Sequence, residues 1–173
     1  MSEAFFSGDA VVSIGAASAA ASACTTFTTY ITNFKVSGGE ADTEVINVFG
    51  NANIFKRSPR GEYEASFDFI MRGDSGTLFE QLVGSSSLVS SLATAVDMST
   101  LPQEKVVYVQ LLNEDGDTYK SYGFNNALCT YYEGELGADE HATGSVTFKI
   151  PAKTETGTSN VKAILGQASG LTW

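Results

Sequence analysis

Histidine is nearly missing from this sequence: His141 stands alone, and there are only two cysteines, Cys24 and Cys129. Any imidazole-bearing zinc site, Ser-His-Asp arrangement or Cys-His pair would have to use that one ring. It sits in the acidic stretch Ala138-Asp139-Glu140-His141, where a solvated loop histidine is the simplest reading. Two cysteines so far apart in the chain are no disulfide framework, and the expected state is two small buried thiols in a reducing compartment. Basic residues are scarce as well. Ten Lys and Arg stand against 20 Asp and Glu, for a net charge of −10. A surface that grips a nucleic-acid duplex needs clustered cations, so duplex binding is excluded.

Other absences narrow the field further. No Lys or Arg precedes Lys35, so the small apolar run from Ala10 to Cys24 lacks the positive flank of a secretory signal. No stretch approaches the roughly 18 apolar residues that would cross a bilayer, so no membrane partner is expected. There is no phosphate-cradling GxxxxGK[ST] loop, and the cluster Ser37-Gly38-Gly39 has neither the spacing nor, with Glu40 and Asp42 beside it, the charge for a pyrophosphate. The turn Asn113 to Asp117 lacks the spacing and closing Glu of a calcium loop. Glu62, Glu64 and Asp68 do not make a glycosidase pair, because no apolar neighbour raises one of them. The sequence therefore assigns no catalytic residue, no metal ligand and no cofactor.

What remains is the composition of a β-protein. The 173 residues suit one domain, with 43% hydrophobic and 11% aromatic residues. Ser and Thr together supply 36 residues. Thr25 to Val36 reads TTFTTYITNFKV, a strand rich in β-branched and aromatic residues, and it breaks at Ser37 to Asp42. Thr43 to Phe55 reads as a further strand with Gly50 as a bulge. Lys56-Arg57-Ser58-Pro59-Arg60-Gly61 is a turn, and Glu62 to Arg72 follows as a strand. In that strand Tyr63, Ala65, Phe67 and Phe69 share one face, and Glu62, Glu64, Ser66 and Asp68 the other. A period of two means one side is buried and one is wet and negative.

Asp74 caps a short amphipathic helix near 74–84 carrying Leu78, Phe79, Leu82 and Val83, and a Ser-rich loop runs to Thr100. Gln103 to Leu112, Thr118 to Phe124, Ala127 to Tyr132 and Thr143 to Ile150 are strands, with an acidic loop from Glu133 to Glu140. The sum is a mainly β fold, a β-sandwich or partly open barrel with one flanking short α-helix. Its expected parts are an Ala/Ser-rich N-terminal arm over 1–24, a β domain over 25–151 and a C-terminal extension over 152–173. The lone Trp173 in that extension has to dock on something.

The order of elements, a strand into Val36-Ser37-Gly38-Gly39-Glu40, a hairpin pair, Glu62–Arg72, a short helix and a second β-group, resembles the major tail tube proteins of long-tailed (siphovirus-like) bacterial and archaeal viruses. The resemblance spans about residues 25–151. It implies a structural virion protein, assembled in the host cytoplasm, whose copies form hexameric rings that stack into a tail tube. It also implies other tail proteins, such as a tape measure and a terminator, as partners, and DNA that passes through without specific binding. Open sheet edges seek partners, and contacts between copies satisfy them by ring closure and axial propagation.

A bore for DNA should repel phosphate, over a range of about 8 Å at physiological salt. Glu62, Glu64, Ser66 and Asp68 are the candidate lining, and charge reversal at Glu62 and Glu64 should slow genome ejection. Lys56, Arg57 and Arg60 form a basic turn that is either a solvated tip or one of two candidates, with the Gly38–Asp42 loop as the other, to reach the next subunit. Glu133, Glu135, Asp139 and Glu140 are its candidate partners, so high salt should weaken stacking more than folding. Rival readings are a head decoration or tail terminator protein, and a secreted pilin or carbohydrate-binding sandwich using Tyr131-Tyr132 or Trp173. An enzyme is the weakest class.

Overall fold

Alternating apolar residues govern the architecture. A computed structural model describes residues 9–41, 43–48, 52–57, 60–70, 103–113, 117–135 and 143–173. Among these residues nine strands follow in chain order: β1 Asp9–Ala16, β2 Thr25–Gly38, β3 Thr43–Val48, β4 Ala52–Arg57, β5 Tyr63–Ile70, β6 Lys105–Leu112, β7 Thr118–Glu135, β8 Thr143–Ile150 and β9 Val161–Leu165. The main sheet runs β6-β1-β2-β5-β8-β7, and β7 returns to pair with β6. Six antiparallel strands therefore close into a barrel. Strands β3 and β4 form a separate hairpin.

The barrel is filled by one face of each strand. Val12 and Ile14 of β1, Phe27 and Ile31 of β2, Ala65, Phe67 and Phe69 of β5, and Val146, Phe148 and Ile150 of β8 are all buried there. Phe148 meets Phe67 and Phe124 with ring centroids 5.9 and 5.6 Å apart, in edge-on geometry. Each large side chain so buried contributes on the order of 1.5–3 kcal/mol. The alternation expected for β5 and β8 is the one observed.

Strand β6 is apolar on both sides, and the chain explains why. Val107, Val109 and Leu111 point into the barrel. Val106 and Tyr108 point outward, under Ala168 and Leu171, with Cys24, Ile164 and Trp173 packed around them. The Trp173 indole N–H donates to the Tyr108 hydroxyl at 2.6 Å, and that hydroxyl donates to the Ala19 carbonyl at 2.7 Å. Trp173 thus docks as its composition requires. Beside it, the buried Asn125 accepts from the Ser18 amide at 2.7 Å and donates to Asn160 at 3.2 Å, which ties β7 to the segments on either side.

Several sequence readings change. Residues 9–16, expected within an N-terminal arm, form β1 between β2 and β6, because small and β-branched residues there fit a crowded sheet. The single strand expected over Thr43 to Phe55 is two strands paired as a hairpin, and Gly50, expected as a bulge, lies outside the described residues. Strand β7 runs unbroken through Asn125-Asn126, with Asn126 in the left-handed region (φ 52°) where the β6 register shifts. Glu133 and Glu135 belong to β7 rather than to a loop. The helix expected near 74–84, the Ser-rich loop, Asp139, Glu140 and His141 lie outside the described residues.

Past Ile150 the chain makes an excursion and then resumes. Strand β8 lies along β7 from Glu135 to Leu128, and β9 continues along β7 from Phe124 to Lys120. Between them, Thr154 to Thr158 turn back on themselves and Asn160 holds the ends together. Its amide donates to the Ala152 carbonyl at 3.1 Å, and its side-chain NH2 donates to the Pro151 carbonyl at 3.0 Å.

Candidate functional site

Two surfaces stand out once the barrel is built. The first is the outward face of β2, β5, β8 and β7. The register assembles rows of residues, polar except for Leu128, across these four strands. Asn33, Asp68, Ser145 and Glu133 make one row. Lys35, Ser66, Thr147 and Tyr131 make the next, and Ser37, Glu64, Lys149 and Leu128 the third. Asp68 is held from both sides. The Asn33 side-chain NH2 donates to one oxygen at 3.2 Å and the Ser145 hydroxyl to the other at 2.6 Å. Tyr131 donates its hydroxyl to the Glu133 carboxylate, which pushes the tyrosine pKa up.

This face is bordered by two bulges with the same chemistry. In β2 the register shifts between Ile31 and Asn33, and in β7 between Cys129 and Tyr131. The extra residue is a threonine each time. Thr32 donates to the Asp68 carbonyl at 3.4 Å and Thr130 to the Thr147 carbonyl at 3.3 Å, each across to the neighbouring strand. Bulges bend and twist a strand locally, so the polar face curves along both borders.

Of the residues expected on this face, Glu64, Ser66 and Asp68 lie on it, and Glu62 sits at its end. Their negative charge is tempered in a way the β5 segment alone does not reveal. Lys149 forms an ion pair with Glu62 at 3.0 Å, which raises the lysine pKa, and Lys35 stands opposite Ser66. Among residues whose side chains are described, the face carries Glu62, Glu64, Asp68 and Glu133 against Lys35 and Lys149. Glu133, expected to answer the basic turn, shares this sheet face with Asp68.

The second surface is the hairpin of β3 and β4. Thr43 faces Arg57, Glu44 faces Lys56, Val45 faces Phe55 and Ile46 faces Ile54. Lys56 and Arg57 therefore stand at the root of the hairpin on strand β4, not in a turn. Arg60 is farther along the chain and donates to the Tyr63 hydroxyl at 3.0 Å. The exit from β2 is set by Gly38 and Gly39, both left-handed at φ 95° and 68°. A Cβ on Gly39 would lie 2.2 Å from the Tyr63 ring, so any side chain there would displace that ring and strain the left-handed backbone. The Gly39 amide donates to the Glu62 carbonyl at 2.9 Å and the Gly61 amide to the Glu40 carbonyl at 3.1 Å, which clamps the two legs of the hairpin at its base.

The hairpin leaves large apolar side chains in water. Val45 is 51% exposed and Ile46 43%. No signal in the sequence marked this, because the Gly38–Asp42 break and the Lys56-Arg57 pair drew attention to the ends of the segment rather than its middle. Among the described residues no group of three His, Cys, Asp or Glu is placed to hold a metal ion.

No protein-family model matches the sequence, and no curated protein matches it. The fold itself is similar to solved structures. One is the anti-feeding prophage cap, a tube terminating cap, with a TM-score of 0.50, 13% identity and 96% of this chain and 94% of that one covered. Another is in the six-fold symmetrised anti-feeding prophage baseplate, at a TM-score of 0.51, 12% identity, and 95% and 97% coverage. A third is in the sheath/tube terminator of an extracellular contractile injection system in its extended state, at a TM-score of 0.50, 14% identity, and 90% and 92% coverage. The chain is mainly β with a tail-tube-like fold.

Proposed function

We propose that this protein is a structural subunit of a tail-like tube, with copies closing into rings and the rings stacking into a hollow cylinder. The observation that carries the reading is the likeness over nearly the whole chain to tube caps, baseplates and terminators. The barrel adds a physical argument. Its six strands satisfy one another, so among the described residues the edges left for other copies are those of the β3–β4 hairpin and of β9, where Leu165 is 74% exposed. The six-fold symmetry in the name of one relative favours hexameric rings. In this reading the polar face of β2, β5, β8 and β7 lines the bore. Glu62, Glu64, Ser66 and Asp68 lie on its wall, and the hairpin and the Lys56, Arg57 and Arg60 cations reach a neighbouring subunit.

One of the similar structures is part of a contractile injection system, which favours a contractile tail within this reading. The tape measure, the terminator and DNA passage through the bore belong to the viral version of the proposal. The wall residues suit a channel that holds nothing tightly. Asp68 is already satisfied, Glu62 is paired with Lys149, and hydroxyls fill the spaces between. Negative-stain electron microscopy of the concentrated protein tests the proposal. Hollow tubes or stacked rings are expected, and a protein that stays monomeric at every concentration overturns it.

A further inference from the structure

The barrel repeats one plan twice. Strands β1, β2 and β5 pair in that order, β6, β7 and β8 do the same, and the two sets meet where β5 pairs with β8 and β1 with β6. The registers agree residue for residue around the bulges. Ile31, Asn33 and Phe34 face Phe69, Asp68 and Phe67, while Cys129, Tyr131 and Tyr132 face Phe148, Thr147 and Val146. Phe67 itself faces Val146. An approximate two-fold axis through that pair therefore carries Thr32 onto Thr130 and Asn33 onto Tyr131.

The repeat gives Tyr131 an internal control. Ile31 and Cys129 are both buried in the barrel, and Phe34 and Tyr132 both pack against its core. The core asks for apolar groups at these inward positions, and both halves supply them. The matching outward positions differ. Asn33 is small and turns back to donate to Asp68, whereas Tyr131 is 50% exposed. Asparagine serves the backbone at this place in one half, so the fold gives no reason for an aromatic ring in the other.

Tyr131 is also the bulkiest stiff group described on the polar face. Ser66, Thr147, Ser145 and Asp68 are short, and Asp68 is drawn down by Asn33 and Ser145. Lys35 and Lys149 are long, but their stems are flexible, and Lys149 leans to Glu62. A tyrosine has only two side-chain torsions. Its hydroxyl here is tied to Glu133, so it presents a braced ring with its donor already used. We infer that Tyr131 is the gauge of the bore, the residue from each copy that sets the narrowest width and so the size of what passes, with Glu133 as the positioning residue that braces it. This rests on the tube-subunit reading and on the polar face as the wall.

The test uses the full chain with Tyr131→Asn, which puts at this bulge the residue its counterpart already carries, and with Tyr131→Phe, which removes only the hydroxyl. Folding is read by the urea midpoint, assembly by sedimentation, and the bore by electron cryomicroscopy of the tubes. Tyr131→Asn should keep the parent's midpoint and an assembled fraction within twofold of it. Its tubes should lose the inward lobes of density that set the parent's narrowest bore, and should be wider at that height. Tyr131→Phe should keep the lobes but blur them, because the ring is no longer tied, and lobes as sharp as the parent's would overturn the role of Glu133. If Tyr131→Asn fails to fold, or folds and no longer assembles, the ring is a structural or inter-copy contact and the inference falls. An unchanged bore in well-formed Tyr131→Asn tubes, or parent tubes with Tyr131 away from the bore, would overturn the inference and leave the tube reading intact. A parent protein that forms no assembly at all would overturn the tube reading and this inference together.

Discussion

The barrel and the hairpin are built from the same kind of residue and settle it in opposite ways. In the barrel, Phe67, Phe69 and Phe148 find aromatic and aliphatic neighbours within the chain and lose nearly all contact with water. In the hairpin, Val45 and Ile46 stand opposite Phe55 and Ile54 in the register and still stay half exposed. Six strands that return on themselves can enclose a core, whereas two strands cannot. Under the tube proposal, the difference teaches that stability of the subunit and its assembly would reside in separate parts of the fold, joined at Gly38-Gly39.

The largest effect that would sharpen this separation comes from Phe67→Ala. Truncating a fully buried ring should cost about 3–5 kcal/mol, read as a fall in the urea midpoint, and should remove assembly only because the subunit unfolds. At the joint, Gly39→Ala should cost roughly 1–2 kcal/mol for the left-handed backbone, with the Tyr63 ring displaced as well. Its more telling readout is assembly, which should fall while the barrel remains folded. If that variant destabilised the subunit as much as Phe67→Ala does, barrel and hairpin would be one cooperative unit and the separation would be wrong.

The smallest effect lies on the barrel's outer side. Burial pushes the Cys24 thiol up to about 11 from its ordinary value near 9.0. The unfolded chain therefore loses this proton at a lower pH than the folded one. The contribution to stability is complete below pH 9 and disappears as pH rises through about 11. Thermal melts across that window should show the decline, and Cys24→Ala should make it shallower. An unchanged pH profile in that variant would mean that the alkaline loss comes from Cys129 or Tyr108, whose pKa values burial also raises.

Much of the barrel was legible because its strands keep period two. β5 and β8 show it cleanly, and the inward set Ala65, Phe67, Phe69, Val146, Phe148 and Ile150 follows from it directly. β1 was hidden because DAVVSIGA has the small residues of a linker, and its place between β2 and β6 depends on partners far off in the chain. Closure of the sheet was hidden for the same reason, since the pairing of β6 with β7 is a property of the whole ring. Of the candidate site, the acidic side of β5 could be read from one segment. Lys149, Lys35 and Glu133 could not, because cross-strand register brings them there. The hairpin's apolar middle was read as part of one strand, since nothing local says that its partner strand is the very next one.

The excursion between β8 and β9 has a practical side. Both strands run along β7, so the ladder does not depend on what lies between them, and Asn160 fastens the two ends of the detour to Pro151 and Ala152. Gly157, at the apex, has open space around it. A foreign peptide spliced in beside Gly157 would hang from a closed clasp rather than interrupt a strand, giving the subunit a place to carry an affinity tag or a visible label without disturbing its core.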